Sequence, residues 1–350
     1  MERAAWIAQV EQDCGVGFVA SSYAYYSHPA QRSGSQFVLV PKLPLHRGRR
    51  WNVVLVVHGG FWKSKWSLMN ALRTARLARF LLDAGYAPVF LEYRRRPDDA
   101  PNAAFPGPNA DLINALRHLR RSKLLEEHGI PNSLNAEHVI LLGHSAGGSL
   151  ALWAGTTSAM CSYEMEKTAV GSAFPFEAVA ALRCIKLIVA VAPVANLEMA
   201  YYLRLSDQGD AVQHYLDLED GVSPSRVSER CRMASPAHAM TVWAPFIVTS
   251  GGRDTDVPEQ VIESFYATHM RSENSVQYIE LDSIAGASAQ HRDDDGPVEF
   301  YEVSKNASNA WLRFPRADHF ELFDPDHISF QETWRMAMET DLALSLMELG

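Results

Sequence analysis

The 350-residue sequence predicts an α/β fold built on a mostly parallel central sheet with helices on both faces. Short apolar runs bounded by turn residues alternate with longer helical segments, the order in which parallel strands are joined by crossover helices. Several runs are continuous Val, Ile and Leu, as strands covered on both faces must be. Composition agrees: 47% hydrophobic and 21% charged residues describe a globular chain with a large core and exclude disordered and fibrous classes.

The elements follow in chain order. Gln36 to Val40 and Val53 to Val57 read as the first strands. A helical stretch from Met69 to Ala84 comes next, closed by Gly85, a residue type that favours the position just past a helix. The strand Ala87 to Leu91, the helix Asn109 to Arg121 and the strand Val139 to Leu142 repeat the alternation. A small-residue helix, Ala146 to Ala154, precedes the strand Leu187 to Val191. The strand Phe246 to Ser250, the helix Pro258 to Met270, the strand Val276 to Leu281 and a final helix from Ser329 to Leu349 complete the pattern. Residues 156–183 and 198–236 are longer than simple connections and are expected to carry local helices over the sheet edge as cap insertions. No repeat, low-complexity tract or linker divides the chain, so a single domain over residues 1–350 is expected.

The formal net charge of -9 drives no face toward phosphate backbones or anionic lipid, so neither nucleic acid nor a membrane is an expected partner. Arg47, Arg49 and Arg50, and the run Arg94, Arg95 and Arg96, are short and read as solvated turns. No signal peptide pattern and no 18-residue apolar run is present, which predicts a cytoplasmic protein. Cys14, Cys161, Cys184 and Cys231 are widely spaced without a CxxC pair, the pattern of reduced thiols rather than of a zinc site or a disulfide framework. The sequon at Asn306 carries weight only in a secreted chain.

Chemistry enters at Gly143-His144-Ser145-Ala146-Gly147, set between the apolar run Val139 to Leu142 and the helix from Ala146. The pentapeptide alone is a weak signal, but strand, turn and helix are the context that holds a nucleophilic serine on a sharp elbow. Upstream, His58-Gly59-Gly60-Phe61-Trp62 follows the strand Val53 to Val57. Acyl transfer to a serine builds negative charge on the carbonyl oxygen, and backbone N–H groups of a Gly-rich loop stabilise it. Gly60 and Phe61 are the expected donors, joined by Ala146, which follows the serine and opens its helix.

A nucleophilic serine needs a base, and the base an orienting acid, in chain order Ser, Asp or Glu, His. The loop after Phe246 to Ser250 offers Asp254 and, as its rival, Asp256, which stands where it would cap the helix near Pro258. The histidine is expected on the loop after Val276 to Leu281. His319 enters an apolar stretch there and is preferred; His291 lies in a charged loop that lacks paired metal-ligand spacing, and His269 precedes the strand inside a helix. Asp111 reads as a residue that caps or braces a helix, and Trp62 and Trp66 as candidates to line a pocket for a flat substrate.

The assembled set resembles the α/β-hydrolase superfamily, and within it the kynurenine formamidase (arylformamidase) and small carboxylesterase branch. HGGFW at His58 to Trp62 fits that branch's HGGxW pattern, and GHSAGG from Gly143, Asp254 ahead of Val257-Pro258, and His319-Phe320 extend the likeness over most of the chain. The resemblance implies a Ser145, Asp254, His319 triad, no cofactor, and hydrolysis of a small-molecule ester or aryl formamide, with Trp62 beside the substrate. The segments Asp282 to Pro315 and Thr156 to Arg183 are longer than the branch leads one to expect, and both lie where substrate contacts arise. Three functions follow: an N-formyl-kynurenine formamidase, a carboxylesterase of another substrate, and a catalytically silent hydrolase fold that serves as a ligand receptor. The intact Ser145, Asp254 and His319 weigh against the third.

Overall fold

The continuous Val, Leu and Ile runs lie where both faces of a sheet are covered. In β3 (Trp51–Val57), β4 (Ala87–Glu92), β5 (Leu134–His144), β6 (Ile185–Val191) and β7 (Phe246–Gly251) the apolar stretches are fully buried. Alternate residues serve opposite sides: Val53, Leu55 and Val57 join one core, Val54 and Val56 the other, as the two-residue period of a strand requires. The computed structural model describes residues 3–23, 36–97, 103–121, 126–127, 129–130, 132–156, 159, 175–206, 208–270, 276–280 and 309–347.

These five strands are mutually parallel. β1 (Phe18–Ser22) and β2 (Phe37–Pro41) extend one edge antiparallel. β8 (Val276–Glu280) and β9 (Asn309–Phe314) extend the other in parallel, and the order across the sheet is β1-β2-β4-β3-β5-β6-β7-β9-β8. On one face pack α1 (Arg3–Cys14), α3 (Thr74–Asp83) and α11 (Ile328–Met347), through Trp6, Leu77, Leu81, Phe330 and Trp334. The other face carries α4 (Gly107–Leu119), α5 (Ala146–Ala154), α6 (Pro175–Leu182) and α10 (Glu259–Met270), through Leu112, Leu116, Leu150, Ala181 and Phe265. No described helix is long and apolar enough to cross a membrane.

The expected strands all form, with ends shifted by a few residues, but three elements escape the sequence reading: α1, β1 and β9. β9 matters most, because it slots between β7 and β8 and becomes the strand that leads to His319. The stretch expected as one helix from Met69 to Ala84 is two, α2 (Leu68–Ala71) and α3. Ser67 and Asn70 close a capping box on α2, and Leu72 turns to extended backbone, which stops that helix after one turn. Gly85 does terminate α3, at φ +87° with its N–H on the Leu82 carbonyl. The stretch expected over residues 198–236 carries α7 (Leu197–Tyr202), which starts one residue ahead of it, α8 (Ala211–Tyr215) and α9 (Pro224–Ala234); of residues 156–183, the described part includes α6. Cys14, Cys184 and Cys231 are buried thiols, while Cys161 and the sequon at Asn306 fall outside the described residues.

The arginine run after β4 corrects its reading as a solvated turn. Arg94 and Arg95 are 7% and 6% exposed. Arg94 forks onto Asp111 of α4, with Nε and Nη2 donating at 2.9 and 2.6 Å, and its backbone N–H adds a third bond at 2.8 Å. Asp111 thus braces α4 against the end of β4 rather than capping a helix. Removing one partner of a buried pair strands the other charge, so Asp111→Ala is expected to cost about 3–5 kcal/mol in a urea unfolding measurement. Asp111→Asn, which keeps two acceptor lone pairs for Arg94, is expected to cost less.

Candidate active site

At the end of β5 the chain reverses into α5 within one residue. Ser145 sits at φ 55°, ψ -119°, a conformation that costs a non-glycine residue roughly 1–3 kcal/mol and persists because its surroundings fix it. The Ser145 N–H donates to the Val191 carbonyl of β6 (2.8 Å), and its own carbonyl accepts from Ser149 (3.0 Å). On the inner side of the turn, a Cβ on Gly147 would overlap the carbonyls of Val57 and His58 at the end of β3. Glycine is therefore required there by close approach of two backbones, and the serine is clamped between the ends of β3 and β6.

Beyond β7, the loop Gly251 to Val257 carries Asp254, 8% exposed. Its Oδ1 accepts the N–H groups of Asp256 (3.0 Å) and Val257 (2.8 Å), which leaves Oδ2 for the His319 Nδ1–H at 2.7 Å. Asp256, half-exposed, contributes its backbone to this arrangement. His319, 4% exposed, comes off β9 and not directly off β8 as the sequence reading has it. The two loops are held together by Gly252 N–H to the Phe314 carbonyl (3.0 Å) and Arg253 N–H to the Ala317 carbonyl (3.1 Å). With Nδ1–H committed to a buried carboxylate, the neutral imidazole keeps its basic lone pair on Nε2. His269 is a core residue of α10 whose Nε2 meets the Pro236 carbonyl at 3.2 Å, and His291 lies outside the described residues.

The His58 to Trp62 loop leaves β3 alongside the elbow; a Cβ on Gly59 would stand 3.0 Å from that of Ser145. Gly60 adopts φ +107° against the ring of Trp66, and Phe61 and Trp62 hold φ 50° and 55°, so three consecutive residues lie at positive φ. Such a loop needs bracing from both ends. His58 donates from Nδ1 to the Gly59 carbonyl (2.7 Å) and stacks on Tyr93 (4.4 Å, 16°), whose hydroxyl donates to the His58 carbonyl (2.9 Å). Glu92 lies 3.4 Å from His58 Nε2 and pairs with Arg95 at 2.6 Å. Burial pushes the Glu92 carboxyl up, but His58, Arg95 and the Leu68 N–H outweigh it and hold the group below the usual carboxylate range.

At the other end Trp62, expected beside the substrate, is 2% exposed and stacked on Tyr215 of α8 (4.1 Å, 13°), so its main role is to anchor the loop. Trp66 is 36% exposed and closes over Gly60. Ala146 is fully buried as the first residue of α5.

His144 is the residue the sequence reading missed. Its ring is stacked on Phe323 (4.8 Å, 19°) and lies 4.6 Å from that of His319, and Nε2–H donates to the His319 carbonyl at 3.0 Å. Burial, followed by the neighbouring His319, lowers its pKa well below the ordinary histidine value, so it stays neutral beside the other imidazole. The signal was its place inside GHSAG, one residue before the serine.

A family model, BD-FAE, matches residues 42–268, a span that includes the His58 to Trp62 loop, Ser145 and Asp254 and stops short of His319. A search of curated proteins found no match. Among solved structures, the chain is similar to an acetyl ester-xyloside bifunctional hydrolase from Caldicellulosiruptor lactoaceticus, at 16% identity and TM-score 0.56 over 94% of this chain and 95% of that one. An inhibited esterase B from Lactobacillus rhamnosis matches at 18% identity and TM-score 0.56 over 99% and 96%. A butyrate-bound thermophilic esterase, Est2, from Thermogutta terrifontis matches at 17% identity and TM-score 0.55 over 95% of each chain. The architecture they share with this chain is the α/β-hydrolase fold.

The tie from His144 to the backbone of His319 generates a test. His144→Phe keeps a flat ring on Phe323 and removes the donor, so kcat on any ester turned over is expected to fall about tenfold, the order of one lost hydrogen bond, with KM little changed. Circular dichroism is expected to show an intact fold.

Proposed function

Since the chain belongs to the BD-FAE family, we propose that it is a serine carboxylesterase acting on short-acyl esters of small molecules. The observation that carries this reading is the 2.7 Å bond from His319 to a buried Asp254, anchored through His144 to the elbow that bears Ser145. In this mechanism Ser145 Oγ attacks the ester carbonyl while His319 Nε2 takes the hydroxyl proton. Asp254 holds the imidazole tautomer and stabilises the imidazolium that forms. The oxyanion accepts from the N–H groups of Phe61 and Ala146, with Gly60 as a further donor. His319 returns the proton to the leaving alcohol, and water, activated by the same imidazole, then releases the acid. Every step is supplied by side chains and backbone of this chain, so no cofactor is called for.

The solved relatives support a short acyl group: one is described by an acetyl ester, one holds a C6-C4 inhibitor and one holds butyrate. They also tilt the choice from the aryl formamide, to which the HGGFW likeness points, toward an ester. N-formyl-kynurenine then serves as the comparison substrate.

Two measurements test the reading. Ser145→Ala and His319→Ala are each expected to lower kcat by about 10⁵–10⁶, and Asp254→Asn by about 10⁴, whereas Asp256→Asn stays within a few fold of the native enzyme. Near-native turnover by the Ser145 variant would sink the mechanism. Across p-nitrophenyl esters from acetyl to octanoyl, kcat/KM is expected to peak at acetyl to butyryl and to exceed that for N-formyl-kynurenine; a steady rise toward octanoyl, or the formamide as the best substrate, would displace the short-chain ester reading.

A further inference from the structure

In the proposed mechanism the alcohol leaves with a proton from His319 Nε2, so the group carried on its oxygen starts within hydrogen-bond reach of the imidazole. What stands against that imidazole decides which alcohols fit. The next residue, Phe320, keeps its ring 66% exposed. The ring centre lies 5.4 Å from that of His319, with the planes at 88°, and 6.3 Å from that of His144, the residue ahead of Ser145.

The core does not use this ring. Stacking on His144 falls to Phe323, which is 9% exposed. The backbone beneath Phe320 is also fixed without its side chain: Asp318 Oδ1 accepts the N–H groups of Phe320 and Glu321, and Glu321 Oε2 accepts the Asp318 N–H, all at 2.9 Å. Single exposed apolar residues occur on any surface. This one is held on a rigid turn against the proton donor of the reaction.

A second apolar segment adjoins it. Trp66, 36% exposed, covers Gly60 of the oxyanion loop, and Met69 of α2 is 41% exposed. Arg73 meets Asp324 at 2.7 Å and Arg76 pairs with Asp326, so the chain that follows Met69 is tied to the chain that follows Phe320. The two segments are neighbours beside the elbow.

We propose that Phe320 is a specificity-determining residue for the leaving alcohol and selects alcohols that carry an aromatic ring, with Trp66 and Met69 extending the apolar rim. The proposal rests on the esterase reading and names the half of the substrate that reading leaves open. By microscopic reversibility, the place that holds a departing alcohol also holds an arriving one. The arriving O–H gives its proton to His319 Nε2 as its oxygen bonds to the acyl carbon, and Ser145 Oγ then leaves with that proton, forming a new ester. An aryl-bearing alcohol is thus expected to capture the acyl-enzyme ahead of a plain alkanol.

The test compares 2-phenylethyl acetate with ethyl acetate. Both release primary alkanols of similar leaving ability and both give the same acetyl-enzyme, so a difference in kcat/KM belongs to the alcohol. Native enzyme is expected to favour the 2-phenylethyl ester about tenfold, Phe320→Trp to keep that ratio and Phe320→Ala to bring it below about threefold, the scale of one ring–ring contact with its buried area. The ratio does not depend on the fraction of each variant that is folded, and Phe320→Leu, apolar without a ring, is expected to fall between. With p-nitrophenyl acetate as donor, 2-phenylethanol is expected to yield more new ester than 1-butanol at equal concentration, an excess that Phe320→Ala loses.

Hydrolysis of both acetates with a native ratio near one, or with a ratio that Phe320→Ala leaves in place, keeps the esterase reading and overturns the proposal. A Phe320→Ala variant that instead shifts the ratio of ethyl butyrate to ethyl acetate overturns it as well, because the ring then borders the acyl group. Hydrolysis of neither acetate nor p-nitrophenyl acetate sinks the esterase reading itself, and the proposal with it.

Discussion

The close approach of Gly147 to the carbonyls of Val57 and His58 is the contact on which the rest of the site depends. It lets α5 start directly against the end of β3, which forces Ser145 into its positive-φ turn and lays the HGGFW loop alongside it. A methyl group at this point would push the helix away from the strand, and the serine, the Ala146 amide and the loop would part company together. The parallel sheet provides the setting, since neighbouring parallel strands end at the same side and can deliver Ser145, Asp254, His319 and the loop to one place.

What the sequence made legible was local. The elbow, the glycine loop and the loop after β7 each announce themselves within a few residues, because each is a sharp turn at the end of a buried strand. What it hid depends on partners far away in the chain. β9 is short and only partly apolar, Asn-Ala-Trp-Leu-Arg-Phe, and becomes a strand because β7 and β8 pair with it on either side. Arg94 looked solvated because its carboxylate stands 17 residues on, across a turn and inside α4. His144 carried no periodicity at all; only the packing of Phe323 and the backbone of His319, 175 residues later, gives it a task.

The loop beside the serine is held by two unlike devices. From the sheet side it is fixed by a buried polar chain of Glu92, His58 and Tyr93, and from the α8 side by a stacked ring pair, Trp62 on Tyr215, backed by the Lys63–Asp210 ion pair. The first belongs to the core and moves only if β4 moves. The second belongs to a connection between β6 and β7, so the strained amides at Phe61 and Trp62 sense the position of α8.

The placement of β9 sets an order of events in unfolding. Among the described residues β8 is joined to the sheet through β9, and β9 to the rest through β7, across pairings such as Ile247 with Ala310, 63 residues apart. β8 is the outermost strand, and β9 cannot leave β7 without carrying β8 along, so this margin can open while β3 to β7 stay paired. His319 follows β9, so on the esterase reading proposed above an opening of that strand parts it from Asp254 while the interior packed on β3 to β7 still excludes water.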